Sequence, residues 1–178
     1  MIKIIVTERN REEVLRDEKL VWKCPWMKKP NYTGLNVPHR YYRGFLGENY
    51  FEDWLILNKI PYTRHRKTNG PEWEQEFVIF NKKWDVKTSH NPHHKEMLIL
   101  KSEAEKGIGL KKSPDFYIGC RSNGELLNEK SGEIWGYIHF DYSIKYPIKG
   151  PHNSQLNKDN YAVPFSVLYP IENILKLK

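Results

Sequence analysis

Glu76-Phe77-Val78-Ile79-Phe80-Asn81-Lys82-Lys83-Trp84-Asp85-Val86-Lys87-Thr88-Ser89 is the stretch whose reading decides the fold. Two runs rich in β-branched and aromatic residues flank a short polar connection. They read as a hairpin of strands at 72–80 and 83–88. Asp85 and Lys87 are separated by one residue, so in a strand both side chains leave the same face. If Asn81 and Lys82 form a two-residue turn, Phe80 faces Lys83, Val78 faces Asp85 and Glu76 faces Lys87. Glu76, Val78, Asp85 and Lys87 then share one face, with Phe77, Ile79, Trp84 and Val86 on the other. The second set is a core face. The first places two carboxylates beside an amine, which is costly to bury without a purpose. Such a set can hold a divalent metal and hydrolyse a phosphodiester. A three-residue turn would put Glu76 opposite Thr88 and on the wrong face.

Outward from the hairpin, Gly44 to Ile60 reads as a helix, with Phe51, Trp54, Leu55 and Asn58 at helical spacing and Pro61 as its stop. Tyr62 to Lys67 reads as a strand and Thr68-Asn69-Gly70-Pro71 as a turn. Toward the N-terminus, Ile2 to Val6 is a strand. Thr7 to Lys19 is a helix in which Asn10 and Glu13 resemble a capping box. Lys23 to Pro38 is a loop or arm. Downstream, Ser89 to Lys95 is a polar loop and Met97 to Leu100 a buried strand. Ser102 to Glu105 starts a short helix that Gly107 ends. Asp115 to Arg121 and Ile134 to Phe140 are strands, and Tyr146 to Asn160 is a loop. The chain closes with Tyr161 to Leu168 and a small apolar helix at Ile171, Ile174, Leu175 and Leu177. This order implies an α/β (α+β) domain around one central mixed sheet flanked by helices. We expect a single domain over 1–178, with a core at about 44–140, an N-terminal arm at 1–43 and a C-terminal loop and helix at 141–178.

Of the 178 residues, 39% are hydrophobic and 13% aromatic, which excludes a disordered chain. No apolar run is long enough to span a membrane, and Met1-Ile2-Lys3 does not open a signal peptide. Cys24 and Cys120, far apart, make neither a disulfide framework nor a zinc knuckle. A reducing cytoplasm is the expected compartment. The 29 Lys and Arg against 22 Asp and Glu leave a net charge of +7. That excess suits a polyanionic partner, because phosphate neutralisation supplies sequence-independent nucleic-acid affinity. Arg40 and Arg43 interleave with Tyr41 and Tyr42, and such a segment can touch phosphates and stack on bases. Arg64, Arg66, Lys111 and Lys112 are further candidate phosphate contacts. Solvated charge is the alternative for all six.

The run from Glu76 to Ser89 resembles the core motif of the PD-(D/E)XK nuclease superfamily, the restriction-endonuclease-like fold. Asp85-Val86-Lys87 matches the (D/E)-x-K half. Glu76 matches the first acid by position, where members usually carry Asp, and Glu72 and Glu74 are alternatives. Many members carry a glutamate on the preceding helix, and Glu48 is its counterpart here, with Glu52 the alternative one turn on. The specific motif is confined to 76–89, and the outline covers about 44–140. The resemblance implies a hairpin that carries the active site and a metal-dependent DNA endonuclease of restriction, phage or repair type, encoded by a prokaryote or phage. Glu48, Glu76, Asp85 and the Val86 carbonyl would hold Mg²⁺, for which Mn²⁺ can substitute. Lys87 would act as an electrostatic stabiliser or as a base. Cleavage of both strands suggests a homodimer.

Two readings compete. His90, His93 and His94 with Asp85 would suit zinc, but a loop containing Pro92 lacks the fixed spacing of a zinc hydrolase. A non-catalytic nucleic-acid-binding protein with a nuclease-like fold would use the basic surface alone.

Overall fold

The computed structural model describes residues 1–22, 42–65, 76–89, 93–101, 104–105, 113–124, 127–149 and 159–177. Its main sheet contains β1 (Ile2–Ile5), β2 (Thr63–Arg64), β3 (Phe77–Ile79), β4 (Lys82–Ser89), β6 (Phe116–Asn123) and β7 (Ser131–His139), in the order β1-β7-β6-β4-β3-β2. All pairings are antiparallel except β4 with β6. A second sheet of β5 (Glu96–Leu100), β9 (Asn160–Pro164) and β8 (Ile148–Lys149), in that order, replaces the single sheet expected from sequence. The described residues form a mixed α+β fold.

Helix α2 (Tyr42–Leu57) packs on β4, β6 and β7 of the main sheet, α1 (Glu8–Trp22) packs on α2, and α3 (Phe140–Ser143) follows β7 directly. A 3₁₀ helix, Ile171–Leu177, stands where the terminal helix was expected. The Asn10–Glu13 capping box is replaced by one built on Thr7. The Asn10 backbone N–H donates to Thr7 Oγ1 at 3.2 Å, and the Thr7 N–H donates to Asn10 Oδ1 at 2.8 Å. Thr7 is one residue before the helix, where a cap is useful; Asn10 is already inside it. Asn10 Nδ2 also reaches Asp53 at 2.9 Å, which ties α1 to α2.

The core divides by sheet face. Phe77, Ile79, Trp84, Val86, Ile118 and Cys120 form one side with Leu46, Tyr50, Phe51 and Trp54 of α2. Trp84, fully buried, stacks on Phe116 at 4.3 Å and meets Tyr137 edge-on at 5.6 Å. Each such aromatic pair adds about 1 kcal/mol beyond the area it buries. Tyr117 and Ile138 join Met97, Ile99, Tyr161, Val163, Phe165 and Leu168 in a second cluster toward the three-stranded sheet.

The paired part of the hairpin keeps its expected faces but not its register, and Glu76 keeps neither. Phe77 pairs with Trp84, Val78 with Lys83 and Ile79 with Lys82. The turn is therefore Phe80-Asn81, both with positive φ, 51° and 59°, as a type I′ turn requires. The pairing has moved by two residues, so every residue paired in the ladder stays on its predicted side. The reason lies on the far edge of β4. The Lys83 N–H donates to Asp115 Oδ2 at 2.7 Å, and the Asp115 N–H donates to the Lys83 carbonyl at 2.8 Å. With a turn at Asn81-Lys82, the Lys83 N–H would point toward β3 instead.

Gly132 is set by close approach. A Cβ there would lie 1.9 Å from Cε2 of Tyr50, a fully buried ring. Gly132→Ala should cost about 1–3 kcal/mol, the range for overpacking. The midpoint of urea unfolding measures this, and an unchanged midpoint would contradict the packing described.

Candidate functional site

The hairpin ladder ends early on one strand. β3 pairs with β4 no further back than Phe77–Trp84, while β4 continues beside β6 to Ser89–Arg121. At that split Glu76 leaves the ladder. Its N–H donates to the Trp84 carbonyl at 3.2 Å, although Trp84 is the partner of Phe77. This is a bulge-like departure that re-aims a side chain. Glu76, 5% exposed, turns its carboxylate to the edge of β4 and accepts the Val86 N–H at 2.6 Å. A side chain thus continues the ladder that the backbone has abandoned. The N–H and C=O of one strand residue point the same way, so the Val86 carbonyl opens toward this edge too.

Asp85 and Lys87 extend from the opposite face to Trp84 and Val86, as alternation requires. Lys87 Nζ lies 2.7 Å from Asp85 Oδ2 and 5.7 Å from the centre of the Tyr117 ring. Both are partly exposed, with side-chain exposures of 24% and 15%. Opposition of Glu76 to Lys87 does not occur. The two-residue shift and the departure of Glu76 place its carboxylate at the strand edge, on the side nearer α2. Its charge reaches Cys120, whose thiol is pushed well above the usual range, first by burial and then by Glu76. Cys120 Sγ also contacts the Gly47 carbonyl of α2 at 3.8 Å.

Glu48 approaches from α2 and is 2% exposed. Its Oε2 accepts from Arg64 Nη2 at 3.1 Å. Arg64 Nη1 donates to Asn49 Oδ1 at 2.8 Å and to Glu52 Oε2. Tyr62 Oη donates to Glu52 Oε1 at 3.0 Å. Burial lowers the pKa of the Arg64 guanidinium, but Glu48 and Glu52 outweigh it and hold the group above its ordinary value. The structure thus turns Arg64 inward, 5% exposed at its side chain, away from the DNA-facing position expected of it. The signal was parity with Tyr62, which packs on Phe77 at 6.0 Å. Arg43 points to the wholly buried Glu129, 3.4 Å from its Oε1. His94 Nδ1 lies 3.0 Å from Ser89 Oγ, and His93 is exposed. Arg40, Arg66, Lys111, Lys112, Glu72, Glu74, His90, Cys24, the 23–38 arm and the 68–71 turn lie outside the described residues.

Glu76 and Val86 therefore meet at the split end of β4, whereas Asp85 and Lys87 pair with each other on the other face of the strand and Glu48 is held by Arg64; the single face expected to carry Glu76, Asp85 and Lys87 together does not form. Among the described residues, no group of three or more His, Cys, Asp or Glu side chains is arranged to hold a metal ion. No helix among them is long and apolar enough to cross a membrane. The sequence matches no family model and no curated protein.

Glu76→Ala should leave the Val86 N–H unpaired at the strand edge and cost about 1–3 kcal/mol. Glu76→Gln, which keeps an accepting oxygen, should cost less. Equal losses for the two in urea unfolding would show that the hydrogen bond does not matter.

Proposed function

We propose that the chain is a Mg²⁺-dependent DNA endonuclease with a restriction-endonuclease-like core, hydrolysing phosphodiester bonds at the split end of β4. The observation that carries the reading is the Glu76 carboxylate on the Val86 N–H. It sets the first acid of the motif against the middle residue of Asp85-Val86-Lys87. The net charge of +7 supports a polyanionic substrate.

The donors proposed for the site are two carboxylates and a backbone carbonyl, all oxygen, which suits a hard cation. Glu76, Asp85 and the Val86 carbonyl would hold it, with Glu48 directly or through water. When bound, such an ion polarises a phosphoryl oxygen and lowers the pKa of a coordinated water. Glu76 and Asp85 are each engaged within the chain, by the Val86 N–H and by Lys87. A cation held there would displace those contacts, and Lys87, freed from Asp85, would place a positive charge where the phosphate gains negative charge in the transition state. The aromatic face of Tyr117 beneath it limits where the ammonium can swing.

Restriction, phage and repair roles in a prokaryotic or phage-infected cytoplasm are all compatible with this chemistry. So is a homodimer cutting both strands. Plasmid incubated with Mg²⁺, and separately with EDTA, tests the activity. Cleavage with Mg²⁺ alone is expected. Asp85→Ala and Lys87→Ala should each lower the rate by at least about 100-fold, the scale for losing one transition-state contact, with unfolding midpoints near wild type. Full activity in either variant would remove these residues from the mechanism. Retention on DNA with no cut under any divalent cation would favour a non-catalytic nucleic-acid-binding protein.

A further inference from the structure

We infer that Arg64 is a positioning residue of the proposed metal site, acting through Glu48; this rests on the endonuclease reading. A buried arginine is costly unless its donors are matched, and here the two terminal nitrogens are matched while Nε has no hydrogen-bond partner among the described residues. Two terminal nitrogens serve three acceptors on one side of α2: Glu48, Asn49 and Glu52. The guanidinium also lies 5.4 Å from the centre of the Phe77 ring. Phe77 is the neighbour of Glu76 and ends the hairpin ladder at the split. Arg64 itself pairs with Phe77 across β2 and β3. One side chain therefore joins the helix that supplies Glu48 to the strand end that supplies Glu76.

The geometry gives Glu48 a fixed approach. Only Oε2 is in the arginine pair. Both partners are nearly enclosed, at 5% and 2% side-chain exposure, so the carboxylate is oriented and poorly able to swing. Groups that orient a ligand in this way typically contribute 10–100-fold to metal affinity. A lysine at 64 would retain the charge but could not serve Glu48 and Glu52 together, because its ammonium is a point charge without a planar fork.

The test is calorimetric titration of Mn²⁺ into the full chain without DNA, on wild type, Arg64→Lys, Glu48→Gln, the double variant and Asp85→Asn. Arg64→Lys and Glu48→Gln should each weaken Mn²⁺ binding about tenfold. The double variant should be no weaker than Glu48→Gln alone, because the arginine acts only through that carboxylate. In cleavage assays, Arg64→Lys should raise the Mn²⁺ concentration for half-maximal activity by the same factor while the saturated rate stays near wild type. A loosened fold would not give that split. Wild-type Mn²⁺ affinity in Arg64→Lys beside a weakened Glu48→Gln would overturn the inference, and so would singles whose effects multiply in the double. Unaltered Mn²⁺ binding by Asp85→Asn would overturn the endonuclease reading itself, and the role of Arg64 with it. Should Arg64→Lys fail to fold, Glu52→Gln loosens the opposite anchor and keeps the guanidinium. Its weakening of Mn²⁺ binding should be smaller and should vanish in the Glu48→Gln background; an effect that persists there contradicts the inference.

Discussion

The bond from the Val86 N–H to the Glu76 carboxylate is the contact on which the proposed site depends. β4 serves two neighbours, and they do not end together. β6 accompanies it to Ser89, whereas β3 stops at Phe77. A strand edge exposed in this way has backbone groups that need partners. Glu76 supplies one with a side chain, and so a carboxylate is fixed on the backbone of Val86, the residue between Asp85 and Lys87. An amide partner from continued backbone would have paired the edge and left no acid there.

The surrounding structure holds that split in place. On the α2 side, Trp84 and Val86 are buried against Phe51 and its neighbours. On the other edge, Asp115 clasps Lys83 through both of its backbone groups. Arg64 then binds the helix to the end of β3 from within. The acids differ in what satisfies them: Glu76 a backbone amide, Asp85 an ammonium and Glu48 a guanidinium. These partners differ in how readily they exchange. The Asp85–Lys87 pair is partly solvated and contributes little to stability. The Glu48–Arg64 pair is enclosed, and breaking it would leave a buried charge.

Much of this was legible in the sequence because period-two alternation is robust. The hairpin register slipped by two residues, yet Phe77, Ile79, Trp84 and Val86 stayed in the core and Asp85 and Lys87 stayed opposite. The aromatic spacing of α2 likewise survived, with its start two residues earlier than expected. What local pattern could not show was set by contacts distant in sequence. The turn position follows from Asp115, thirty-two residues from Lys83. The departure of Glu76 from its ladder follows from where β3 ends. The inward turn of Arg64 needs α2 in place, and a run of Arg64, His65, Arg66 and Lys67 reads naturally as solvated charge. The second sheet was not legible because its main ladder joins β5 to β9, segments distant in sequence, and β8 is only two residues long.

A crystal structure of the chain soaked in Mn²⁺ tests the central claim most directly, since the ion can be located by its anomalous scattering. The account predicts one strong peak at the split end of β4, with oxygens of Glu76, Asp85 and the Val86 carbonyl at about 2.1–2.2 Å, near the distance of a small hard cation. The Glu76 carboxylate should then have moved off the Val86 N–H. A peak elsewhere, or none there with Glu76 still on that amide, would contradict it.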